Sequence, residues 1–400
     1  MNTQTLQKWE TTTLGKIADI TSSKRIFASD YVDRGIPFYR SREIIEKQEE
    51  KDISTKLYIS TDKYESIKNK FGVPKQDDIL ITSVGTLGVP YIVKASEVFY
   101  FKDGNLIWLR DFRDITNPKF IYYTILNPET QQRLKGISIG SSQSAFTISA
   151  LKNFPVLLPD VLSQKQIADI LSAYDNLIKN NTRRIQILEQ LAQAIYIEWF
   201  VKFRFPGYEK VKMVDSGTDF GKIPEGWEVK KIGEIFSVKY GKNLPKTTIT
   251  ESGKFPVYGA GGVIGFYSEK NINDKTALIT SRGNGSGTVW RTKGSGFVTN
   301  NSFSITGKDW YSYFNMSLIY NLLLSANIRS SISGSAQPQV TINSLNYVEV
   351  LVPEKSIAEI FQNEAMYLYD LSDRLFMTNQ NLRQTRDLLL PRLVTGEIKV

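Results

Sequence analysis

The side chains with the most capacity for chemistry lie in four polar, glycine-rich stretches. Two are Ser83-Val84-Gly85-Thr86-Leu87-Gly88 and Ser138-Ile139-Gly140-Ser141-Ser142-Gln143-Ser144; two more are Ser281-Arg282-Gly283-Asn284-Gly285-Ser286-Gly287 and Ser333-Gly334-Ser335-Ala336-Gln337. Glycine lets main-chain N–H groups approach a ligand, and hydroxyl and amide groups donate to phosphate oxygens. On that chemistry Ser83, Gly85, Thr86, Ser141, Ser142, Ser281, Gly283, Asn284 and Ser335 are candidate contacts to a nucleic-acid backbone. Gln143 and Gln337 have the fork that pairs with adenine, and Arg40, Arg42 and Arg282 the fork that pairs with guanine. Lys24, Arg25, Lys239, Lys242 and Lys246 are candidate phosphate contacts. Each loop taken singly also reads as an ordinary exposed turn.

Covalent and metal chemistry find little support. With no Cys and no His, the chain lacks disulfides, thiolate nucleophiles, zinc ribbons and the commonest general base. Gly283-Asn284-Gly285-Ser286-Gly287 lacks the G-x-G-x-x-G spacing of a dinucleotide loop, and no G-x-x-x-x-G-K-[ST] occurs. Asn300-Asn301-Ser302-Phe303 lacks both prolines of the Asn-Pro-Pro-aromatic motif that adenine methyltransferases use, and Asp77-Asp78 has no third acidic residue at a nuclease spacing. A binding role without a cofactor follows.

The elements that must position these loops occur twice. With a shift of 194, Gly140, Ser141, Gln143, Thr147, Ile148, Leu151, Val156, Leu157 and Pro159 return as Gly334, Ser335, Gln337, Thr341, Ile342, Leu345, Val350, Leu351 and Pro353, nine identities in twenty positions. With a shift of 198, Leu80-Ile81-Thr82-Ser83 and Gly85 return as Leu278-Ile279-Thr280-Ser281 and Gly283; further upstream, with a shift of 218, Trp9-Glu10 recurs as Trp227-Glu228. A period near 200 residues means two copies of a domain plus connector. Each copy reads as mixed structure with short strands, such as 79–82, 91–93, 99–101 and 106–109 against 277–280, 288–290 and 297–299. Short helices are expected at 118–126 and 317–325. The 400 residues carry a net charge of +9, with +3 in residues 1–160, +2 in 161–208, +5 in 209–355 and −1 in 356–400. Such an excess favours a polyanionic partner.

Each copy ends in a long heptad-patterned stretch. The first places Ile167, Ile170, Leu171, Tyr174, Leu177, Ile178, Ile185, Leu188, Leu191, Ile195 and Trp199 at helical spacing and stops at Phe205-Pro206-Gly207. The second runs through Leu368, Leu375, Leu382 and Leu389 to Pro391. Seven-residue spacing requires a partner helix. Asn181, Arg184, Thr378 and Thr385 are expected as polar seam positions that fix register, and the two helices are expected to pair antiparallel about a pseudo-twofold axis.

Three stretches in this order around the repeats carry a resemblance. They are Ile223-Pro224-Glu225-Gly226-Trp227-Glu228-Val229 followed by Ile232-Gly233-Glu234-Ile235, Trp199-Phe200-Val201-Lys202-Phe203 with Phe205-Pro206-Gly207, and Leu389-Leu390-Pro391-Arg392-Leu393-Val394-Thr395-Gly396-Glu397-Ile398. With them the chain resembles, over essentially its whole length, the specificity subunit of type I restriction-modification enzymes. The first copy departs from the pattern, because Lys8-Trp9-Glu10 lacks the Ile-Pro-Glu-Gly lead-in. The resemblance implies an α+β fold: two pseudo-repeated mixed α/β target recognition domains joined by two long helices that form an antiparallel coiled coil. The expected division is domain 1 at 1–160, central helix at 161–208, domain 2 at 209–355 and C-terminal helix at 356–400.

It further implies a non-catalytic subunit that binds double-stranded DNA at a bipartite, asymmetric site and docks two methyltransferase subunits. Restriction subunits, with endonuclease and translocase functions, join in the full complex. Trp199, Phe200, Phe203 and Leu393 are the expected docking residues, although these side chains would equally close the base of the globular domains. The competing reading is a two-domain protein-binding adaptor. No window approaches the roughly 18 apolar residues of a membrane span, so a cytoplasmic protein without membrane contact is expected.

Overall fold

The computed structural model of the chain describes residues 9–139, 145–334 and 337–400. It divides into two compact units, Met1–Lys179 with Gln380–Val400 and Asn180–Asn379. Both follow one plan. In unit 1, strand Glu10–Thr13 pairs antiparallel with Pro155–Leu158. A four-stranded antiparallel sheet has the order Asp19–Thr21, Leu106–Arg110, Ile79–Thr82, Pro90–Ile92. In a second sheet Ile36–Tyr39 runs parallel to Tyr100–Phe101. Unit 2 repeats each part: Glu228–Lys231 with Glu349–Val352, then Phe236–Tyr240, Ser302–Gly307, Ala277–Thr280 and Val289–Arg291 in one sheet, then Phe255–Tyr258 parallel to Phe297–Val298.

The central strand of each main sheet is apolar without interruption because both its faces are covered. Alternate side chains point to opposite faces. Ile79 and Ile81 therefore pack with Phe120, Ile121 and Leu151, while Leu80 turns to Tyr91, Phe101 and Trp108. In unit 2, Ala277 and Ile279 join Leu318 and Leu322, and Leu278 turns to Tyr258 and Val298.

Helices Pro118–Leu126 and Met316–Ser325 cover these sheets. Each starts at an asparagine whose carbonyl oxygen accepts a backbone N–H, Asn117 from Phe120 at 3.1 Å and Asn315 from Ser317 at 2.9 Å. Such caps satisfy donors that the first turn leaves over. The caps are themselves held from the long helices: the Asn117 N–H donates to Gln164 Oε1 at 2.8 Å and the Asn315 N–H to Gln362 Oε1 at 2.5 Å. Both glutamines are buried, and this repeated bond seats each globular part on its helix.

The long helices span Val161–Tyr196 and Lys355–Val394. Asp160 starts the first, its carboxylate accepting from the Ser163 N–H and hydroxyl at 3.0 and 2.7 Å. That helix ends earlier than its apolar spacing predicts. Ile197–Val201 widens into a π-turn, and Phe203 adopts φ +57° before Pro206-Gly207. The second runs three residues past the expected stop at Pro391, because proline there forfeits a single N–H in the final turn.

The helices pair antiparallel within each unit through polar rungs. In unit 2, Ser372 Oγ donates to Glu189 Oε1 at 3.1 Å and Asn181 Nδ2 to Asn379 Oδ1 at 3.0 Å; Asn379 Nδ2 in turn reaches Thr182 Oγ1 at 3.2 Å. In unit 1, Arg386 Nη1 meets Asp175 Oδ1 at 2.6 Å. Of the four expected polar seam residues, Asn181 alone is buried; Arg184, Thr378 and Thr385 face solvent. The seam's second row is Ala365, Ser372, Asn379, Arg386 and Leu393, one step from the leucines at 368, 375, 382 and 389, which are half-buried.

Unit 2 adds a buried charge network between its main sheet and the helices. Arg291 donates to Asp373 at 2.8 Å and to Glu189 at 2.8 Å, and Lys275 reaches both Asp370 and Asp373 at 2.6 Å. Among the described residues, no helix is long and apolar enough to cross a membrane.

Candidate nucleic-acid interface

In each unit the polar loops leave the strands at one sheet edge and are stitched together there. In unit 1 the Ser83 N–H donates to Asn105 O at 2.9 Å, its hydroxyl to Gly104 O at 3.1 Å, and its carbonyl accepts from the Phe146 N–H at 3.0 Å. In unit 2 the Ser281 N–H donates to Asn301 O at 2.8 Å, its hydroxyl to Asn300 O at 3.3 Å, and its carbonyl accepts from the Val340 N–H at 2.8 Å. Ser83 and Ser281, expected as surface contacts, are thus buried struts whose hydroxyls are already committed to loop carbonyls. They fix where the exposed residues two or three positions on are presented. Gly85 and Gly283 make the turn at φ +79° and +87°, backbone that L side chains rarely adopt.

The exposed parts of the unit 1 edge are Lys24, Arg25, Arg42, Gly85 and Thr86. Lys24 lies 4.6 Å over the Phe71 ring, and Arg25 is paired with Asp103 at 2.9 Å while its side chain remains 69% exposed. Ser41 Oγ ties the Arg40–Arg42 turn to Asn105 O at 3.0 Å. Arg40 is corrected as a base reader. Its guanidinium holds the buried Glu43 at 2.7 and 3.2 Å, and the same carboxylate caps the Arg40 N–H at 2.8 Å. That hydrogen bond raises the guanidinium pKa above its ordinary value and leaves the fork occupied.

The unit 2 edge presents Lys239, Lys242, Lys246, Arg282, Gly283, Asn284 and Gln337, all exposed. Among the described residues none of its four cations is paired with a carboxylate. Gly283 N–H donates to Pro338 O at 3.0 Å and Arg282 bridges Gln339, so the Arg282 loop and the Gln337 loop form one surface. Ser141, Ser142, Gln143 and Ser335 lie outside the described residues.

Residue patterning missed one part of this edge, the hairpin of Phe255–Tyr258 and Val263–Tyr267. Its tip is held by Ser302 Oγ donating to Gly259 O at 2.9 Å and Thr280 Oγ1 to Ala260 O at 3.1 Å. The signal was present as Gly259-Ala260-Gly261-Gly262 between two apolar pairs.

Asp78 accepts the Trp108 Nε1–H at 2.8 Å, and burial raises its pKa, so the Asp78 carboxyl is a core contact. Among the described residues no His, Cys, Asp or Glu trio gathers to hold a metal.

The expected docking residues are corrected as well. Phe200 is buried against Tyr196, Trp227 and Phe361, with Trp199 and Phe203 half-buried beside it. Leu393 is buried in the core of unit 1. They close the base of each globular part. The apolar side chains the helices do expose include Leu162, Leu177 and Leu388 in unit 1, and Ile187, Leu191, Tyr367 and Met377 in unit 2.

Equivalent loop edges on two repeated α+β units, each seated on its own segments of the long helices, define a polyanion-binding protein. The model of the type I restriction modification DNA specificity domain matches residues 7–190 and again 224–368. The chain belongs to that family and carries its domain twice. Among relatives, the type I restriction enzyme MjaIX specificity subunit of Methanocaldococcus jannaschii is 27% identical over 351 residues, covering 80% of this chain and 78% of the relative. The HindI specificity subunit of Haemophilus influenzae is 23% identical, covering 71% and 78%. The fold is shared with the crystal structure of a type I restriction-modification S subunit from M. genitalium, at TM-score 0.65, 20% identity and 98% coverage of both chains. The chain is therefore a DNA-specificity subunit of the type I restriction-modification class, and the adaptor reading is not favoured.

Proposed function

We propose that the two loop edges each read one half of a bipartite, asymmetric site in double-stranded DNA, and that chemistry is supplied by partner subunits. The observation that carries this is the same stitched loop edge built twice around Ser83 and Ser281, with different exposed residues on each. Related frames with unlike side chains read unlike sequences. Exposed cations meet phosphates and position the frame, and base edges are read by the side chains between them.

Two methyltransferase subunits dock on the helices, with restriction subunits joining through the assembled complex in the cytoplasm. The exposed apolar residues Leu162, Leu177, Ile187, Leu191, Tyr367, Met377 and Leu388 supply the docking faces in place of the buried aromatics. Leu191→Glu should abolish co-purification of the methyltransferase subunit while leaving the thermal melt unchanged. Retained co-purification places the docking face elsewhere.

The deciding experiment maps N6-methyladenine by single-molecule sequencing in cells carrying this chain with its neighbouring methyltransferase subunit. A split, asymmetric motif with a fixed unread spacer is expected. An active methyltransferase with no motif would return the protein-binding adaptor as the better reading.

A further inference from the structure

We infer that the hairpin of unit 2 reads the 5-methyl group of thymine in the major groove through Val263 and Ile264. This rests on the DNA-reading role proposed above. Both side chains stand at the hairpin tip, 54% and 52% exposed, on an edge otherwise made of cations, glycines and amides. Branched aliphatic residues left in water at a charged surface forfeit burial unless a ligand covers them.

The tip is built to present them. Ile264 packs over Gly259, where an added Cβ would lie 2.7 Å from its Cγ2, so glycine at 259 is what allows the isoleucine its position. At the turn, Gly261 adopts φ +148°, and nothing lies within 4 Å of a Cβ at 261 or 262. The glycines there serve the backbone's path and leave the tip slim on its outer side. Behind it, Ile249 packs against Gly265 and the Thr250 N–H donates to Phe266 O at 3.0 Å. The chain before it runs from Lys242, whose N–H donates to Val298 O at 3.0 Å, and reaches the hairpin at Ile249 and Thr250. On its other flank Ala260 O accepts from Thr280, immediately before the Arg282–Asn284 turn.

The same edge exposes Lys242, Lys246 and Arg282, none of them paired with a carboxylate among the described residues, and Arg282 lies two residues beyond the Thr280 that holds the tip. Aliphatic surface on an edge that also carries exposed cations complements a duplex whose phosphates flank a groove. Aliphatic groups can neither donate nor accept a hydrogen bond. What distinguishes base pairs to them on the major-groove edge is the methyl group of thymine. In unit 1 the strand equivalent to Phe255–Tyr258 leads into Arg40-Ser41-Arg42, so the two half-sites are met by different chemistry at this position.

The test uses the complex of the full chain with its methyltransferase subunits and a duplex carrying the mapped motif. Each thymine of both half-sites is replaced in turn by deoxyuridine, which removes only the methyl. For the natural chain, at least one replacement in one half-site should lower kcat/KM about fourfold, the worth of one buried methyl. Ile264→Ala or Val263→Ala should abolish that sensitivity at that position and leave the other half-site as it was. Insensitivity to every replacement, or unchanged sensitivity in both variants, overturns the inference. So does a result in which the variants alter the preferred base step without altering the response to deoxyuridine, which would make the tip an inserted wedge. A natural complex that methylates with no motif at all overturns the specificity reading itself, and the hairpin's role with it.

Discussion

Lys242 and Lys246 hold their charges in water without a carboxylate partner, whereas Arg282 stands at a turn pinned to the Gln337 loop. These settings divide the work. Lys242→Ala should weaken binding to every sequence alike and lower the slope of log affinity against log salt by roughly one. Arg282→Ala should instead relax one position of one half-site, at about 1–3 kcal/mol of discrimination. Salt titration and motif mapping of the two variants separate these outcomes. Glu97 shows a different use of charge. Burial pushes its pKa up, but hydrogen bonds from Lys47 at 2.7 Å, Tyr91 at 2.7 Å and the Lys94 N–H at 3.1 Å outweigh it and leave the folded value below the ordinary one. A carboxylate depressed in this way contributes stability above its unfolded pKa of about 4.3, and the contribution is lost as pH falls through the lower folded value. Thermal melts should therefore decline more steeply below about pH 4.3 for the natural chain than for Glu97→Gln. The repeat made Ser83 and Ser281 legible as important residues, but repetition cannot tell a buried strut from a surface contact. Arg40 was misread for a related reason: Glu43 lies three residues on, and that spacing also marks a helix cap.

The rungs between the long helices are the elements' own means of choosing a register. Asn181 and Asn379 are both buried, so Asn181→Leu takes the Asn181 donor from Asn379 Oδ1 while Asn379 Nδ2 keeps Thr182, at about 1 kcal/mol. Asn181→Leu with Asn379→Leu should recover much of that stability yet loosen the register. Chemical denaturation reads the first effect. Engineered cysteine pairs read the second cleanly, because the chain has no cysteine of its own. Here the sequence was clear about the helices and half-clear about the seam. Four leucines at seven-residue intervals announced one row, while the second row, Ala365, Ser372, Asn379, Arg386 and Leu393, alternates small, polar and charged residues that no hydrophobic count detects. Its meaning emerges only with Glu189, Asn181 and Asp175 opposite.

For the molecule as a whole, the doubled plan was readable because the central-strand run Leu80-Ile81-Thr82-Ser83 and the stretch Gly140–Pro159 recur, whereas the paired asparagine caps and supporting glutamines show as repeats only in the structure. The division of the chain was not: it falls inside both helices, at Lys179 and at Asn379, where no proline, glycine or change of composition marks it. Unit 2 is closed by Arg291, whose side chain is only 5% exposed at its pairing with Asp373 and Glu189. Arg291→Met removes the guanidinium from Asp373, which keeps Lys275 and Lys293, and from Glu189, which keeps the Ser372 hydroxyl, and should cost about 1–3 kcal/mol, measured by denaturant unfolding. Unit 1 is closed differently. Its core includes Leu390, Leu393 and Val394, and Gly396 lies against the Trp9 indole, so its two segments are separated by the whole of unit 2. On the ribosome this reverses the order of completion. The continuous unit 2 can close as soon as residue 379 has emerged, whereas the domain translated first must keep an unfinished apolar surface until the last helix arrives. The nascent chain spends that interval with its first-made half exposed to chaperones and to its neighbours on the polysome.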